Sequence, residues 1–201
     1  LVSSLAMNYL FHLYLSGDDP ATLTGNFMGD FVKGPLADRF PEPLRQGLEL
    51  HRRIDSFAQK HQGFTNSRLR IAPEFGLYRG ILVDLYYDHF LATGWGQWHQ
   101  EPLPVYLKRV RRIVEGNRSL LPEPLQRLVP VIFEDMIPSY LTTDGVAGAL
   151  ERMSRRVKRS NPLAGGGREL TRNYHALQED FLEFLPEVHR YAQEFLQRRT
   201  G

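Results

Sequence analysis

The chain has 201 residues, 42% of them hydrophobic and 24% charged, a length and mixture expected for one domain over residues 1–201 that buries its own core. It contains no cysteine, which excludes disulfides, thiolate metal sites and a cysteine nucleophile. No apolar run reaches the length of a membrane span, and a formal net charge of +2 decides nothing by itself.

From Met7 to Leu15 nearly every residue is apolar, and Gly17-Asp18-Asp19-Pro20 follows with strong breaker chemistry, which predicts a buried first helix. No Lys or Arg precedes this stretch and no small-residue cleavage site follows it, so it reads as a core helix of a cytosolic protein and not as a signal peptide. Met7 is taken as a natural start, with residues 1–6 as an upstream extension. His12 lies inside the helix, where the plain reading is a core histidine bonded to a neighbour. A second helix is predicted from about Pro20 to Val32, with Leu23, Phe27 and Asp30 on one stripe and Asn26 beside it. Lys33-Gly34-Pro35 ends it.

A central helix follows from Pro43 to about Ala58. At about 100° per residue, Leu44, Leu48, His51, Asp55 and Ala58 share its apolar stripe. An imidazole and a carboxylate one turn apart therefore face the side that buries, where an unpaired carboxylate costs several kcal/mol. Either the two satisfy each other across the turn or they belong to a metal or catalytic site. Gln62 to Leu77 has no regular period. From Tyr78 to Leu91 the pattern returns, with Ile81, Asp84, Asp88 and Leu91 on one stripe and His89 next to it. Further helices are predicted near Pro104–Glu115, Pro124–Ile137, Asp144–Lys158, Arg168–Leu185 and Pro186–Gln197. Ala164-Gly165-Gly166-Gly167 reads as a flexible joint. No alternating strand pattern of useful length occurs, so the fold class is all-α, a helical bundle.

Asp30, His51, Asp55, Asp84 and Asp88 thus sit on core stripes of three predicted helices. Carboxylates converging without a cation repel one another, whereas a divalent metal satisfies them together. Helical bundles build metal sites from such inward side chains. Mixed imidazole and carboxylate donors suit manganese, iron or zinc, and the oxygen-rich balance leans to manganese, with magnesium next. Arg52 and Arg53 diverge by about 100° and 200° from His51. At least one should border the site, where a guanidinium suits a phosphate oxyanion. Solvated surface charge is the alternative for both, and for Lys33.

Four stretches carry a resemblance: Met7-Asn8-Tyr9-Leu10-Phe11-His12-Leu13-Tyr14-Leu15, Gly25-Asn26-Phe27-Met28-Gly29-Asp30-Phe31-Val32-Lys33-Gly34, Leu50-His51-Arg52-Arg53-Ile54-Asp55, and Asp84-Leu85-Tyr86-Tyr87-Asp88-His89-Phe90-Leu91. Together they resemble the bacterial acyl carrier protein phosphodiesterases, in order from Met7 to about Pro186, with Tyr174, Leu177, Phe181 and Phe184 similar to the family's last core segment. The resemblance implies removal of the 4′-phosphopantetheine arm from holo-acyl carrier protein, with manganese as the usual metal. It also implies distant kinship to the helical HD phosphohydrolases, although the chain has no His-Asp dipeptide and Asp88-His89 runs in reverse order. On this reading His51, Asp55 and Asp88 are the main metal ligands, Asp30 and Asp84 support them, His89 or His12 protonates the leaving serine oxygen, and Arg52 or Arg53 stabilises the phosphoryl oxygens. A metal-dependent phosphohydrolase of a nucleotide or another small phosphate ester and a non-catalytic helical interaction protein are the rival readings.

The carrier proteins that the resemblance supplies are acidic, so a positive docking face is expected. Arg152, Arg155, Arg156 and Arg159 on one predicted helix and Lys108, Arg111 and Arg112 on the one before it are the first choice, with Arg45, Arg68 and Arg70 next. Plain solvated helix faces are the alternative. No nucleic-acid recognition motif accompanies these residues.

Overall fold

The computed structural model describes residues 8–198; Met7 as a start and residues 1–6 as an extension lie outside them. Among the described residues every regular element is helical. The helices are α1 (Tyr9–Tyr14), α2 (Pro20–Phe27), α3 (Glu42–Lys60), α4 (Gln62–Arg70), α5 (Arg79–Thr93), α6 (Trp95–Trp98), α7 (Leu103–Gly116), α8 (Glu123–Val131), α9 (Ile137–Ser139), α10 (Thr143–Arg156), α11 (Gly166–Arg172) and α12 (Tyr174–Gln197). The buried apolar side chains form one contiguous cluster that runs through them. At its centre is α5, in which every residue from Leu82 to Ala92 except Asp84 is buried. A helix apolar on all sides belongs in the middle of a fold.

The site is framed by α1, α2 and α3. No side chain from its own neighbourhood caps α1, and its first N–H groups are met from a distance: Leu10 and Phe11 donate to the two carboxylate oxygens of Asp88 at 3.0 and 2.8 Å. Helix α2 starts on Pro20, with Asp19 accepting from the N–H of Thr22. It then packs on α3 almost backbone to backbone. A Cβ at Gly25 would lie 2.2 Å from the Leu44 carbonyl oxygen, and one at Gly47 would lie 2.0 Å from that of Thr22. One turn further along both helices, Gly29 faces His51, whose ring would stand 2.1 Å from an added Cβ.

The predicted second helix stops at Phe27 and tightens into a 3₁₀ turn over Gly29–Phe31, which carries Asp30. Gln62 to Leu77, where no period is visible, is α4 followed by a second 3₁₀ segment, Pro73–Tyr78. The predicted helix near Pro124–Ile137 is α8, one π turn over Ile132–Met136, and α9, with Pro130 and Pro138 removing donors on either side of the turn. The glycine run 165–167 is no joint. An added Cβ at Gly166 would meet Leu82 and Leu150, and one at Gly167 would meet Ala147, so these glycines let α11 close onto α5 and α10. Pro186 does not split the last helix. Burial of Phe181, Phe184, Leu185 and Val188 on both sides of it outweighs the one backbone hydrogen bond it removes.

The α2–α3 crossing makes a direct test. Gly47→Ala, which in an open helix would stabilise by up to about 1 kcal/mol, should destabilise by about 2–3 kcal/mol and lower Tm by roughly 5–10 °C. Gly116→Ala, where a new methyl group meets nothing within 4 Å, should hold or raise Tm.

Candidate active site

His12 comes from α1, and His51 and Asp55 from successive turns of α3. The two imidazoles are stacked, with ring centroids 3.9 Å apart and planes 16° from parallel. Their orientation is set by Asn26, which is fully buried. Its Nδ2 donates to the His12 carbonyl at 3.0 Å and to Ser16 Oγ at 2.9 Å. That fixes Oδ1 as the acceptor for His12 Nδ1 at 2.8 Å, while the Asn26 backbone carbonyl takes His51 Nδ1, also at 2.8 Å. A carbonyl oxygen only accepts, so both Nδ1 atoms carry the proton and both Nε2 atoms present a lone pair.

Those two Nε2 atoms are buried without a hydrogen-bond partner. What they face is carboxylate. His12 Nε2 lies 3.3 Å from Asp55 Oδ1, and His51 Nε2 lies 3.4 Å from Asp55 Oδ2 and 3.5 Å from Asp30 Oδ1. One donor atom from each of His12, His51 and Asp55 falls within 4.8 Å of the others. Two ring nitrogens and a carboxylate around one point form a donor set that could hold a divalent cation, and hydrogen bonding of the far nitrogens fixes the rings in that orientation.

The electrostatics agree. Burial alone would lower the His51 imidazole, but the carboxylates of Asp30 and Asp55 that its Nε2 faces outweigh it and hold it above its ordinary value. Burial raises Asp55, but His12, His51 and Lys33 more than compensate, so its carboxylate stays below the usual range and ionised. Asp84 is the opposite case. Burial pushes it well above the usual carboxylate value, and the negative charges of Asp55, Asp30 and Asp88 push the same way. It lines a cleft of about 530 Å³ beside the donor group, together with Asp30, Asp55 and Arg68.

Other expected residues lie elsewhere. Both Asp88 oxygens are taken by the α1 backbone, and burial drives its carboxyl up against those two hydrogen bonds. Each nitrogen of His89 has its own partner, the Tyr140 carbonyl at 2.7 Å and the Tyr174 hydroxyl at 3.0 Å. Arg52 borders a second cleft but donates to the carbonyls of Val32 and Gly34. Arg53 lies over the Phe195 ring, 5.0 Å from its centroid. No residue of α7 or α10 lines either cleft. On those helices Arg152 contacts Asp135 and Arg111 is bonded to Glu115 and Glu134, while Lys108, Arg112, Arg155 and Arg156, and Arg159 just beyond α10, are exposed. Sequence reasoning did not single out Asn26, although its place beside the Asp30 stripe was visible.

A helical fold that gathers imidazole and carboxylate donors on a cleft defines a class: all-α proteins with a metal-competent site in the core of the bundle. Comparison of the sequence with known proteins narrows this. A family model described as acyl carrier protein phosphodiesterase matches residues 7–188, and the chain belongs to that family. Similar curated proteins, each named acyl carrier protein phosphodiesterase, include one from Pectobacterium atrosepticum, 30% identical over 92% of this chain and 97% of the relative. Another, from Serratia proteamaculans, is 30% identical over 94% and 98%. A third, from Escherichia coli O6:H1, is 29% identical over 92% and 97%. No solved structure matches. Among the described residues no helix is long and apolar enough to cross a membrane.

The charges predict how the metal-free protein responds to pH. His51 and Asp84 both have raised folded values, so each contributes stability that is complete below its unfolded value and is lost as pH rises through the folded one. Tm measured with a chelator should therefore fall as pH rises above the ordinary values of Asp84 (3.8) and His51 (6.5). Asp84→Asn, which cannot ionise, should flatten the decline and melt above the wild type at the alkaline end; parallel curves for the two proteins would contradict this assignment.

Proposed function

We propose that this chain is a divalent-metal-dependent phosphodiesterase that hydrolyses the 4′-phosphopantetheine arm from holo-acyl carrier protein and returns the apo protein. The observation that carries the proposal is the pair of buried, unpartnered Nε2 atoms of His12 and His51, aimed with Asp55 at one point on the wall of a cleft. Family membership supports the substrate. His12, His51 and Asp55 would hold the cation, with Asp30 adjoining, and manganese is the metal favoured by this mixed donor set, magnesium being second. When bound, the cation supplies Lewis-acid polarisation of the phosphoryl group and acidification of water.

The protein's own groups do the rest. Water adds to phosphorus and gives up a proton that goes by way of solvent to restore the acid, the bond from phosphorus to the serine oxygen breaks, and that oxygen requires a proton. Asp84 lines the same cleft, where burial first and neighbouring carboxylates second favour its protonated form, and we assign it the delivery of that proton. Arg68, whose positive charge reaches Asp84, is the cation that the same cleft offers to the phosphoryl oxygens. Asp88 acts at a distance, by anchoring the start of the helix that carries His12. We read the chain as one catalytic domain over residues 1–201, working in the cytosol, where its substrate would be met.

Mass spectrometry of holo-acyl carrier protein incubated with the protein and manganese tests the reaction, and the expected product is the lighter apo form. His51→Ala and Asp55→Asn should each abolish turnover and metal retention; near-normal values in both would refute the scheme. Asn26→Leu, which keeps the volume but removes the side-chain acceptor of His12 Nδ1 while leaving the backbone carbonyl that holds His51, should weaken the metal about 10-fold or more. Manganese at about 100 times its Kd should stabilise the wild type by roughly 2.7 kcal/mol.

A further inference from the structure

The donor group stands on a wall shared by two clefts, for Asp30 and Asp55 line both. The two differ in kind. The larger is apolar along Phe11, Ile54, Phe64, Ile81 and Phe184, with the amide side chains of Asn8 and Gln59 set among them. The smaller and more open one, about 410 Å³, is built on the backbone of residues 32–35, with Lys33 and Arg52 as its cations. Phosphorus in a diester bears two ester arms. Held at the shared wall, it sends one arm into each cleft.

Resting on the function proposed above, we infer that the larger cleft receives the pantetheine arm and that the smaller one receives an anionic, serine-bearing segment of the carrier. Pantetheine is an uncharged chain with a dimethyl-substituted carbon, two amides and a terminal thiol. Such a chain gains from leaving water only against apolar walls, and its amides need a few well-placed polar partners. Asn8 and Gln59 supply them. A volume of about 530 Å³ lies in the range of clefts that enclose small molecules. The protein side of the diester has the opposite needs: a folded carrier cannot enter a closed cleft, and it meets an open cationic edge best when its own flank is negative. This moves the expected docking face from α7 and α10 to the loop that carries Lys33.

Gly80 makes the test clean. It lines the larger cleft, and a Cβ added there meets nothing within 4 Å, so the backbone accepts a side chain at this position and Gly80→Trp puts bulk at the cleft wall, with an unchanged Tm as the check on folding. Pantetheine itself, which carries no phosphate, is the probe, titrated by calorimetry into metal-loaded protein. Its Kd should rise about tenfold or more in Gly80→Trp and less than about twofold in Lys33→Glu. KM for holo-carrier should rise in both variants, and raising the salt should close the gap to the wild type in Lys33→Glu alone. Wild-type pantetheine affinity in Gly80→Trp, equal weakening in Lys33→Glu, or no pantetheine binding by a wild type that still hydrolyses holo-carrier would each overturn the assignment. Failure of the wild type to release the arm at all, read separately by mass, would remove the proposed function and this inference together.

Discussion

Asn26 is the residue on which the rest of the site depends. Its side chain goes to the His12 ring, the His12 carbonyl and Ser16, and its backbone carbonyl to the His51 ring, in a position with no exposure to water. A buried amide left half-satisfied would cost more than it returns, so this network tolerates little rearrangement. Its result is chemical as well as structural: one tautomer for both rings, and two lone pairs on the same side. Without it, each histidine would choose its nitrogen independently.

The network exists because α2 and α3 come closer than side chains normally permit. Gly25 and Gly47 remove the Cβ atoms that would hold the helices apart, and Gly29 leaves room for the His51 ring. Only at that separation does a carbonyl of α2 reach a ring on α3. On the far side of the cleft a different device holds the wall. Asp180 on α12 accepts from Ser67 and from two nitrogens of Arg70, tying α12 to α4, and Tyr87 adjoins through Ser67. A buried carboxylate bonded in this way by a hydroxyl and a half-exposed guanidinium fixes geometry even where it adds little net stability.

Much of the fold was readable because helical stripes are periodic. The all-α class, the core position of α1 and the inward face of α3 follow from the spacing of apolar residues, and the same spacing turns His51 and Asp55 to one side. What it does not carry is partnership. Asp88 lies on a core stripe, yet its oxygens serve the backbone of a helix nearly eighty positions earlier, a contact that no local pattern encodes. Asn26 was passed over for a similar reason: its role depends on how closely two helices cross, and glycine spacing signals that only once the crossing is known. Pro186 and the glycine run at 165–167 misled because breaker residues act through the local backbone, whereas burial of Phe184 and Leu82 is decided by the whole core.

The donors and the residue that orients them all fall between His12 and Asp55, close together in the chain. Loops this short close at small entropic cost, and contacts local in sequence form early. The apolar wall to which Phe184 contributes depends on α12, which is synthesised well after α1–α3. Synthesis therefore delivers the chemistry before the enclosure: a cation reaching the nascent chain would meet its ligands while the substrate cleft still lacks one side. The order in which this protein is made thus separates the step of arming the site from the step that gives it selectivity.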